Sequence, residues 1–517
     1  MRNSWLLIGL RQVILLVVGL LALGLSITPS FAESFEPTVE SLSHYKCAEW
    51  FRDAKFGIYV HWGVYSVAER GEWYGREMYE EGSSVYQHHV ATWGHPSKFG
   101  YHEFIPMWKA ENFDPDAWLA LFKRAGAKYF TPCAMHHDGF FLGKTKLNPF
   151  NSVDMGPKQD LLGMMREATL KQGLRFGMTT HSDRAISWMQ PAHGVDKKGP
   201  LAGVPYITND PKFHDLYLLK YYDGNRADTE DAPTFWKQYW LLRMKEMIDT
   251  YQPDFIYFDS AVPFAGSDHG LTGFELMAYF YNANMSWHEG RLEGVLTHKG
   301  NKGPKRAPYF PNIATLDIER GMSREIREQP WQTDDSIGAW GYNPTVRYKD
   351  ANAVIDKMID TVSKNGNYVL NVPPKADGSL DEETVEILER VGNWFDINGE
   401  GIYATRPWHV FGEGPVTRMT DRADRSPYTA ENVRFTQSKD GRTVFAIQLA
   451  FPESVSEFVL TSFASEGPGS KLEVTEVSLL GSDAKISWSH DDEGLRIVTP
   501  SKAPDELAMI YRITVGR

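Results

Sequence analysis

Tyr251-Gln-Pro-Asp-Phe-Ile-Tyr-Phe-Asp259-Ser-Ala261 is the stretch that decides the fold. Pro253 ends the helical pattern before it. Phe255 to Phe258 is entirely apolar, as suits a strand buried on both faces of a parallel sheet. The run then stops on a carboxylate, Asp259. A carboxylate at the C-terminal tip of such a strand is where a (β/α)₈ barrel carries its chemistry. An Asp there also suits a helix cap or a turn, so the reading depends on whether the pattern recurs.

It does recur. Lys55-Phe-Gly-Ile-Tyr-Val-His61 reads as a first strand, Lys128 to Met135 as a second ending at His136 and His137, and Leu174 to Thr180 as a third ending at His181. Asp254 to Phe258 is the fourth, Gly294 to Thr297 a fifth ending at His298, and Ala314 to Ile318 a sixth ending at Glu319. Pro330 to Thr333 is a weak seventh and Asn367 to Val372 the eighth. Helical patterns separate most of them. The helix after Asp114 has an Asp cap, Pro115 in its first turn and Gly126 near its end. Others run over Asp160 to Gln172, Thr234 to Thr250, Leu271 to Asn282, Asp350 to Lys364 and Glu382 to Phe395. The expected fold is α/β, a (β/α)₈ TIM-like barrel over 33–402, degenerate where the fifth to seventh strands lack helices between them. After Gly401 short alternating runs, such as Thr443-Val-Phe-Ala-Ile-Gln-Leu449, are separated by Asp, Gly and Ser turns. They predict a C-terminal antiparallel β-sandwich over 403–517.

Residues 1–32 read as a secretory signal peptide: Arg2 and Arg11, an apolar run from Val13 to Ile27, then Ser30-Phe-Ala32 for cleavage. The run is shorter than the ~20 residues a membrane span needs. Its removal takes two arginines and no acids, so the net charge of −13 becomes −15. A secreted or periplasmic protein with no stable membrane insertion is expected. So acidic a chain lacks the basic footprint of a general nucleic-acid binder. Cys47 and Cys133 lack zinc-ligand spacing and read as packing residues. No metal or other cofactor is expected.

The strand ends form a constellation of titratable side chains: His61, His136, His137, His181, Asp259, His298 and Glu319. Any one is an ordinary polar residue at a loop start; together they point to one site. Asp259 and Glu319, from different strands, offer the two carboxyls that glycoside hydrolysis needs. Glu72-Trp73, in the loop after the first strand, adds an acid and a ring that suits stacking on a sugar. Five histidines also suit a metal-dependent barrel hydrolase, but the first strand ends His61-Trp-Gly without a His-x-His pair.

The chain resembles the α-L-fucosidases of glycoside hydrolase family 29 over nearly its whole length after the leader. The matching text includes Trp50-Phe-Arg-Asp-Ala-Lys-Phe-Gly-Ile-Tyr-Val-His-Trp-Gly63, Glu72-Trp-Tyr74, Phe113-Asp-Pro-Asp-Ala-Trp118, His136-His-Asp-Gly-Phe140, Pro253 through Asp259, Trp340-Gly-Tyr-Asn343 and Gly366-Asn-Tyr-Val-Leu-Asn-Val372. The resemblance implies an exo-acting retaining enzyme that removes terminal α-L-fucose from glycans. It implies Asp259 as nucleophile and His61, Glu72, Trp73, His136 and His137 as sugar-binding residues. Glu319 matches one version of the acid/base, with Asp317, Asp334 and Asp335 as rivals. Two departures stand out. A Tyr often found after the third strand is replaced, leaving Thr180 or His181 for its contact. An Arg found in some members after the fifth strand is absent, with His298 and Lys299 nearby. Phe140, Phe264 and Trp340 are candidates to meet the sugar's methyl group. The basic run Lys299, Lys302, Lys305 and Arg306 suggests a sulfated or acidic glycan beyond the scissile bond. An α-L-galactosidase on the same scaffold and a non-catalytic fucose-binding lectin are the alternative readings.

Overall fold

The computed structural model describes residues 34–516 except 221–231, 267, 301–309, 420–424 and 453–456. The expected leader and three of the four basic-run residues (Lys302, Lys305 and Arg306) lie outside the described residues.

Eight parallel strands close into a barrel in chain order. They are β1 (Phe56–Val60), β2 (Tyr129–Met135), β3 (Arg175–Thr180), β4 (Phe255–Phe258), β5 (Val295–Lys299), β6 (Thr315–Asp317), β7 (Trp331–Ser336) and β8 (Gly366–Asn371). The principal helices are α1 (Pro115–Arg124), α2 (Leu161–Lys171), α3 (Thr234–Tyr251), α4 (Leu271–Trp287), α5 (Ala351–Ser363) and α6 (Glu382–Asn398). The cap signals hold: Asp114, Asp160, Asp350 and Asp381 each accept a backbone N–H three residues on. Among the described residues no helix separates β5 from β6 or β6 from β7, as the sequence suggests.

The strand residues alternate between two cores. Tyr59, Tyr129, Cys133, Phe255, Tyr257, Val295 and Val369 fill the barrel interior, and Phe51, on the helix leading into β1, plugs its lower end against Tyr129 and Phe255. Ile58, Phe130, Ile256 and Leu296 face outward into the larger core under the helices. Gly57 is an inward position opposite Tyr129. A Cβ there would fall 2.3 Å from the Tyr129 ring, so the glycine is the space that ring occupies.

Two strand ends differ from the expectation. β5 runs on through His298 to Lys299, and β7 extends to Ser336, carrying Asp334 and Asp335 as strand residues. Apolar content marks a strand only until polar site residues take over its last positions.

The C-terminal region is an antiparallel sandwich. Its strands are β9 (Arg406–Glu413), β10 (Val433–Gln437), β11 (Thr443–Gln448), β12 (Glu457–Leu460), β13 (Glu473–Leu479), β14 (Trp488–Asp491), β15 (Gly494–Val498) and β16 (Met509–Gly516). One sheet has the order β13-β16-β11-β10-β9 and the other β12-β15-β14. Trp408, Phe435, Phe463, Leu495 and Tyr511 are in its core. It packs directly on the barrel. Arg434 of β10 places Nε 2.6 Å from Asp360 Oδ1 on α5, Lys364 Nζ lies 2.8 Å from the same oxygen, and the Tyr428 hydroxyl donates to Oδ2 at 2.9 Å. All four side chains are buried. No described helix is long and apolar enough to cross a membrane. Both cysteines are free thiols.

Candidate active site

Period-two alternation decides which strand-end residues meet. On β4, Phe255 and Tyr257 point inward, so Asp259 follows inward at the mouth. On β1, Tyr59 points inward and His61 follows. On β5, Val295 and Thr297 share the inward parity, which brings Lys299 into the mouth and turns His298 outward. His298 is buried, with Nδ1 2.9 Å from the Lys299 carbonyl. It is not at the site, contrary to the expectation. Thr180 also has outward parity; its hydroxyl bonds Ser182 Oγ at 2.7 Å, and it contributes only its carbonyl to the Asp259 N–H.

Asp259 sits at the centre. Lys299 Nζ bonds its Oδ1 and lies 2.8 Å from Glu319 Oε2, so one ammonium joins the two carboxylates. Two hydrogen-bond lengths, about 6 Å, bound the gap between their nearest oxygens. Asp259 Oδ2 faces His181 Nδ1 at 3.1 Å, His137 Nε2 at 3.5 Å and Arg184 Nη1 at 3.8 Å. Burial alone would push the Asp259 carboxyl up. Lys299 and His181 outweigh it and hold the group well below the usual carboxylate range. Burial likewise disfavours a charge on His181, and Asp259 overcomes this, raising the imidazolium to about 10. Lys299 is also raised, burial being outweighed by Asp259 and Glu319. Lys299 therefore serves the two carboxylates and is not the free loop cation the basic run suggests.

The histidines are held from behind. His61 Nδ1 and its backbone N–H both meet Asn371 Oδ1 at 2.9 Å, and its Nε2 lies 3.1 Å from the Tyr59 hydroxyl. The same hydroxyl lies 2.8 Å from His181 Nε2. His137 Nδ1 donates to the His181 carbonyl at 2.6 Å. Burial, with neighbouring histidines, keeps His61 and His136 neutral, and burial takes His137 down to about 3. His181 thus spends both nitrogens on Asp259 and Tyr59, rather than standing free for the contact of the missing Tyr.

Glu72 Oε2 accepts the Gly341 N–H at 2.9 Å, which ties the loop after β1 to the loop after β7; burial raises its pKa. A Cβ on Gly341 would lie 2.8 Å from the Glu72 nitrogen, so only glycine permits this approach. Trp73 meets His137 edge-on, and Trp188, from the insertion after β3, packs on the same ring at 5.7 Å. Trp340 lies 5.2 Å from the His61 ring, with Arg320 over its face at 4.6 Å. Phe140 packs on Trp108 and Phe264 on Trp240, both in the outer core. Trp340 is the one of the three apolar candidates beside the strand-end histidines.

The rivals of Glu319 lie deeper. Tyr257 OH donates to Asp334 Oδ2 at 3.0 Å and approaches Asp317 Oδ2 at 3.4 Å. Burial and Asp334 push Asp317 well up, and burial raises Asp334 to about 6. Asp335 is wholly buried in ion pairs with Lys349 at 2.9 Å and Lys357 at 2.8 Å. Glu319 is the more open carboxyl of the pair on Lys299, with 29% of its side chain exposed against 14% for Asp259.

Sequence reasoning missed Tyr59, Asn371, Arg184 and Trp188, and placed Lys299 in a loop. Inward parity would have found Tyr59, Lys299 and Asn371. Nothing in the sequence marks Arg184 or Trp188, which reach the site from a long irregular excursion.

Comparison with known proteins bears on the fold and the family. The family model described as alpha-L-fucosidase matches residues 25–400, and that of the alpha-L-fucosidase C-terminal domain matches 426–514. The chain is 28% identical over 515 residues to the tissue alpha-L-fucosidase of Rattus norvegicus, covering 98% of this chain and 96% of that protein. It is similar to the crystal structure of Thermotoga maritima alpha-fucosidase (TM-score 0.70, 27% identity, 93% of this chain and 100% of that one). It is also similar to that protein's complex with fucose (TM-score 0.69, 26% identity, 93% and 100%). With the catalytic-domain model spanning most of the chain over the barrel that carries Asp259, and the C-terminal model spanning the sandwich, this chain belongs to the α-L-fucosidase family of glycoside hydrolases, family 29.

Proposed function

We propose that the enzyme is an exo-acting, retaining α-L-fucosidase that removes terminal α-L-fucose by double displacement, with Asp259 as nucleophile and Glu319 as acid/base. The observation that carries the reading is the single ammonium, Lys299, bonded to both carboxylates. A retaining pair lies ~5–5.5 Å apart and an inverting pair ~6.5–9.5 Å apart, and two carboxyls sharing one hydrogen-bond donor fit the shorter class.

Asp259 is ionised and has neighbours on both oxygens, the state a nucleophile needs. It attacks the anomeric carbon as the bond to the leaving oxygen breaks, and Glu319 delivers its proton to that oxygen. The leaving group takes the place of Lys299 beside Glu319, while Lys299 stays on Asp259. Glu319 then takes a proton from water, whose oxygen displaces Asp259 and frees the sugar with retained configuration. His61, His136, His137 and Glu72 line the mouth as hydroxyl partners, and Trp73 and Trp340 supply apolar walls, Trp340 for the methyl group. His181 orients Asp259 rather than the sugar. The substrate is a fucosylated oligosaccharide or polysaccharide. Any preference for sulfated glycans rests on Lys302, Lys305 and Arg306, since Lys299 is committed. Residues 33–402 carry the chemistry and 403–517 support it. The leader at 1–32 directs the enzyme to the periplasm or outside the cell.

The test is aryl α-L-fucoside hydrolysis. Asp259→Ala should lose several orders of magnitude, and a 2-fluoro fucosyl reagent should label Asp259. Azide should rescue Glu319→Ala and give the α-configured fucosyl azide. A label on another residue, or a β-configured azide, would overturn the assignment.

A further inference from the structure

Inside the barrel, below Asp259 and Glu319, lies a second pair of carboxyls. Asp317 on β6 and Asp334 on β7 both point inward and are buried. One hydroxyl, that of Tyr257, lies 3.0 Å from Asp334 Oδ2 and 3.4 Å from Asp317 Oδ2. Gln332 Nε2 donates to Asp317 Oδ1 at 3.0 Å. Asp334 Oδ1 is buried with no donor among the described residues. Two carboxylates this close and shut off from water cannot both stay charged. A proton held between them removes one charge and supplies a donor that the hydrogen-bond pattern otherwise lacks. Burial, then the charge of Asp334, pushes Asp317 well above the carboxylate range, so the proton rests on Asp317 and the charge on Asp334.

That charge adjoins the catalytic groups. Asp317 lies opposite Lys299 in the β5–β6 register, and Glu319 follows Asp317 by two residues with the same inward parity. The Arg320 N–H, next to Glu319, donates to the Asp334 carbonyl at 2.8 Å. Lys299 attracts the Asp334 charge, while Glu319 and Asp259 repel it. On the other strands the inward titratable groups are Tyr59 on β1, Tyr129 and Cys133 on β2, Tyr257 on β4 and Tyr368 on β8. Burial raises all four phenols, so they stay neutral. Arg320 is turned to Asp335 and Trp340. At the mouth the balance is the reverse. Lys299, the His181 imidazolium and Arg184 all stand on Asp259. Three cations on one carboxylate would drive off the proton that Glu319 needs as an acid.

We propose that Asp317 and Asp334 share one proton, and that the single negative charge left on them offsets the cations around Asp259 and keeps Glu319 protonated until the leaving oxygen takes its proton. Neither carboxyl touches the sugar; both act through Lys299 and Glu319, as positioning residues. No proton passes between the two pairs. The shared one stays in the barrel, and the one that Glu319 delivers is replaced from water. The effect on Glu319 rests on the proposed function, whereas the shared proton does not.

The test is the pH dependence of kcat/KM on phenyl α-L-fucoside, whose poor leaving group needs the acid. The basic limb reports loss of the proton from Glu319 and should vanish in Glu319→Ala. Asp317→Asn puts an amide donor in place of the shared proton and keeps the charge on Asp334, so its limb should stay within a few tenths of a unit of wild type. The double variant Asp317→Asn/Asp334→Asn removes the charge. Less negative charge nearby favours ionisation of Glu319, so the limb should move toward acid by roughly one pH unit. A purely structural role lowers the rate without moving the limb. A double variant that melts as a folded protein yet keeps the wild-type limb, or an equal displacement in Asp317→Asn alone, would overturn the role of the charge. Independently of rates, the infrared difference between wild type and Asp317→Asn at neutral pH should hold a protonated-carboxyl band that shifts in D₂O. Its absence would overturn the shared proton. A basic limb that survives in Glu319→Ala would instead unseat Glu319 as the acid, with the infrared band intact.

Discussion

Lys299 is the residue on which the two carboxylates depend. Its ammonium lowers the pKa of Asp259 and stands beside Glu319, so removing the charge should affect both. Lys299→Met should reduce kcat/KM on an aryl fucoside by on the order of 10²-fold, about 2.7 kcal/mol of transition-state stabilisation. Lys299→Arg, which keeps the charge, should retain more of it. Equal rates for the two variants would show that the charge is immaterial. Tyr59 makes a subtler test. Its hydroxyl meets both His61 and His181, and Tyr59→Phe leaves the His61 Nε2 acceptor and the His181 Nε2–H donor without that partner. A buried polar group so abandoned costs about 1–3 kcal/mol. Thermal melting of the variant should fall accordingly, with its kcat/KM reduced through the loosened His181.

β7 shows how much an element can hide. Its last four residues are polar or charged and every residue of the strand is buried, so a reading guided by apolar runs stops at Thr333. Asp335 survives there because Lys349, from the loop before α5, and Lys357, on α5, converge on it. Burial alone would raise its pKa; the two lysines bring it down to about 2. A carboxylate depressed on folding stabilises the fold above its unfolded pKa, near 3.9, and loses that contribution as pH falls toward the folded value. The contribution is about 2–3 kcal/mol at neutral pH by that linkage. The midpoint of urea unfolding should therefore drop between pH 4 and pH 2 more steeply in wild type than in Asp335→Asn. The variant itself should be destabilised by about 3–5 kcal/mol at pH 7, since two buried lysines lose their counter-charge. The same alternation explains what was and was not legible. On β1 and β4 the apolar run leads straight to a site residue, His61 or Asp259, because the first polar residue after the run has inward parity, whereas β3 ends on Thr179 and Thr180 before His181 reaches the mouth. On β5 the first polar residue after the apolar pair is Thr297, then His298, and the residue that reaches the mouth is one further on. Length of the apolar run is a poorer guide than parity counted from an aromatic known to face inward, such as Tyr257.

For the whole molecule, the barrel and sandwich share a buried ionic node on α5. Asp360 serves Arg434 and Tyr428 of the C-terminal region and Lys364, which caps its own helix, while Lys357, three residues earlier, serves Asp335 on β7. The order of elements, the sandwich and the irregular stretch from β5 to β7 were legible, because cap residues, turn residues and periodicity are local signals. The node was not, since it pairs residues 74 positions apart. Asp360→Ala should cost about 3–5 kcal/mol by leaving Arg434 and Lys364 buried without a counter-charge. Differential scanning calorimetry should show one cooperative transition for wild type, and two separable transitions would contradict a shared core.

α5 therefore acts as a keel. One turn of helix carries the acid that fastens the sandwich and the base that steadies the barrel wall next to Glu319's own strand. Cutting the chain at 402 would not release a smaller enzyme. It would strip α5 of its outer mate, leave Asp360 and Lys364 facing water across an apolar scar, and loosen the helix that props Asp335. The smallest stable unit of this chain is therefore the barrel with its sandwich, and a gene trimmed to its barrel should yield inclusion bodies instead of a minimal glycosidase.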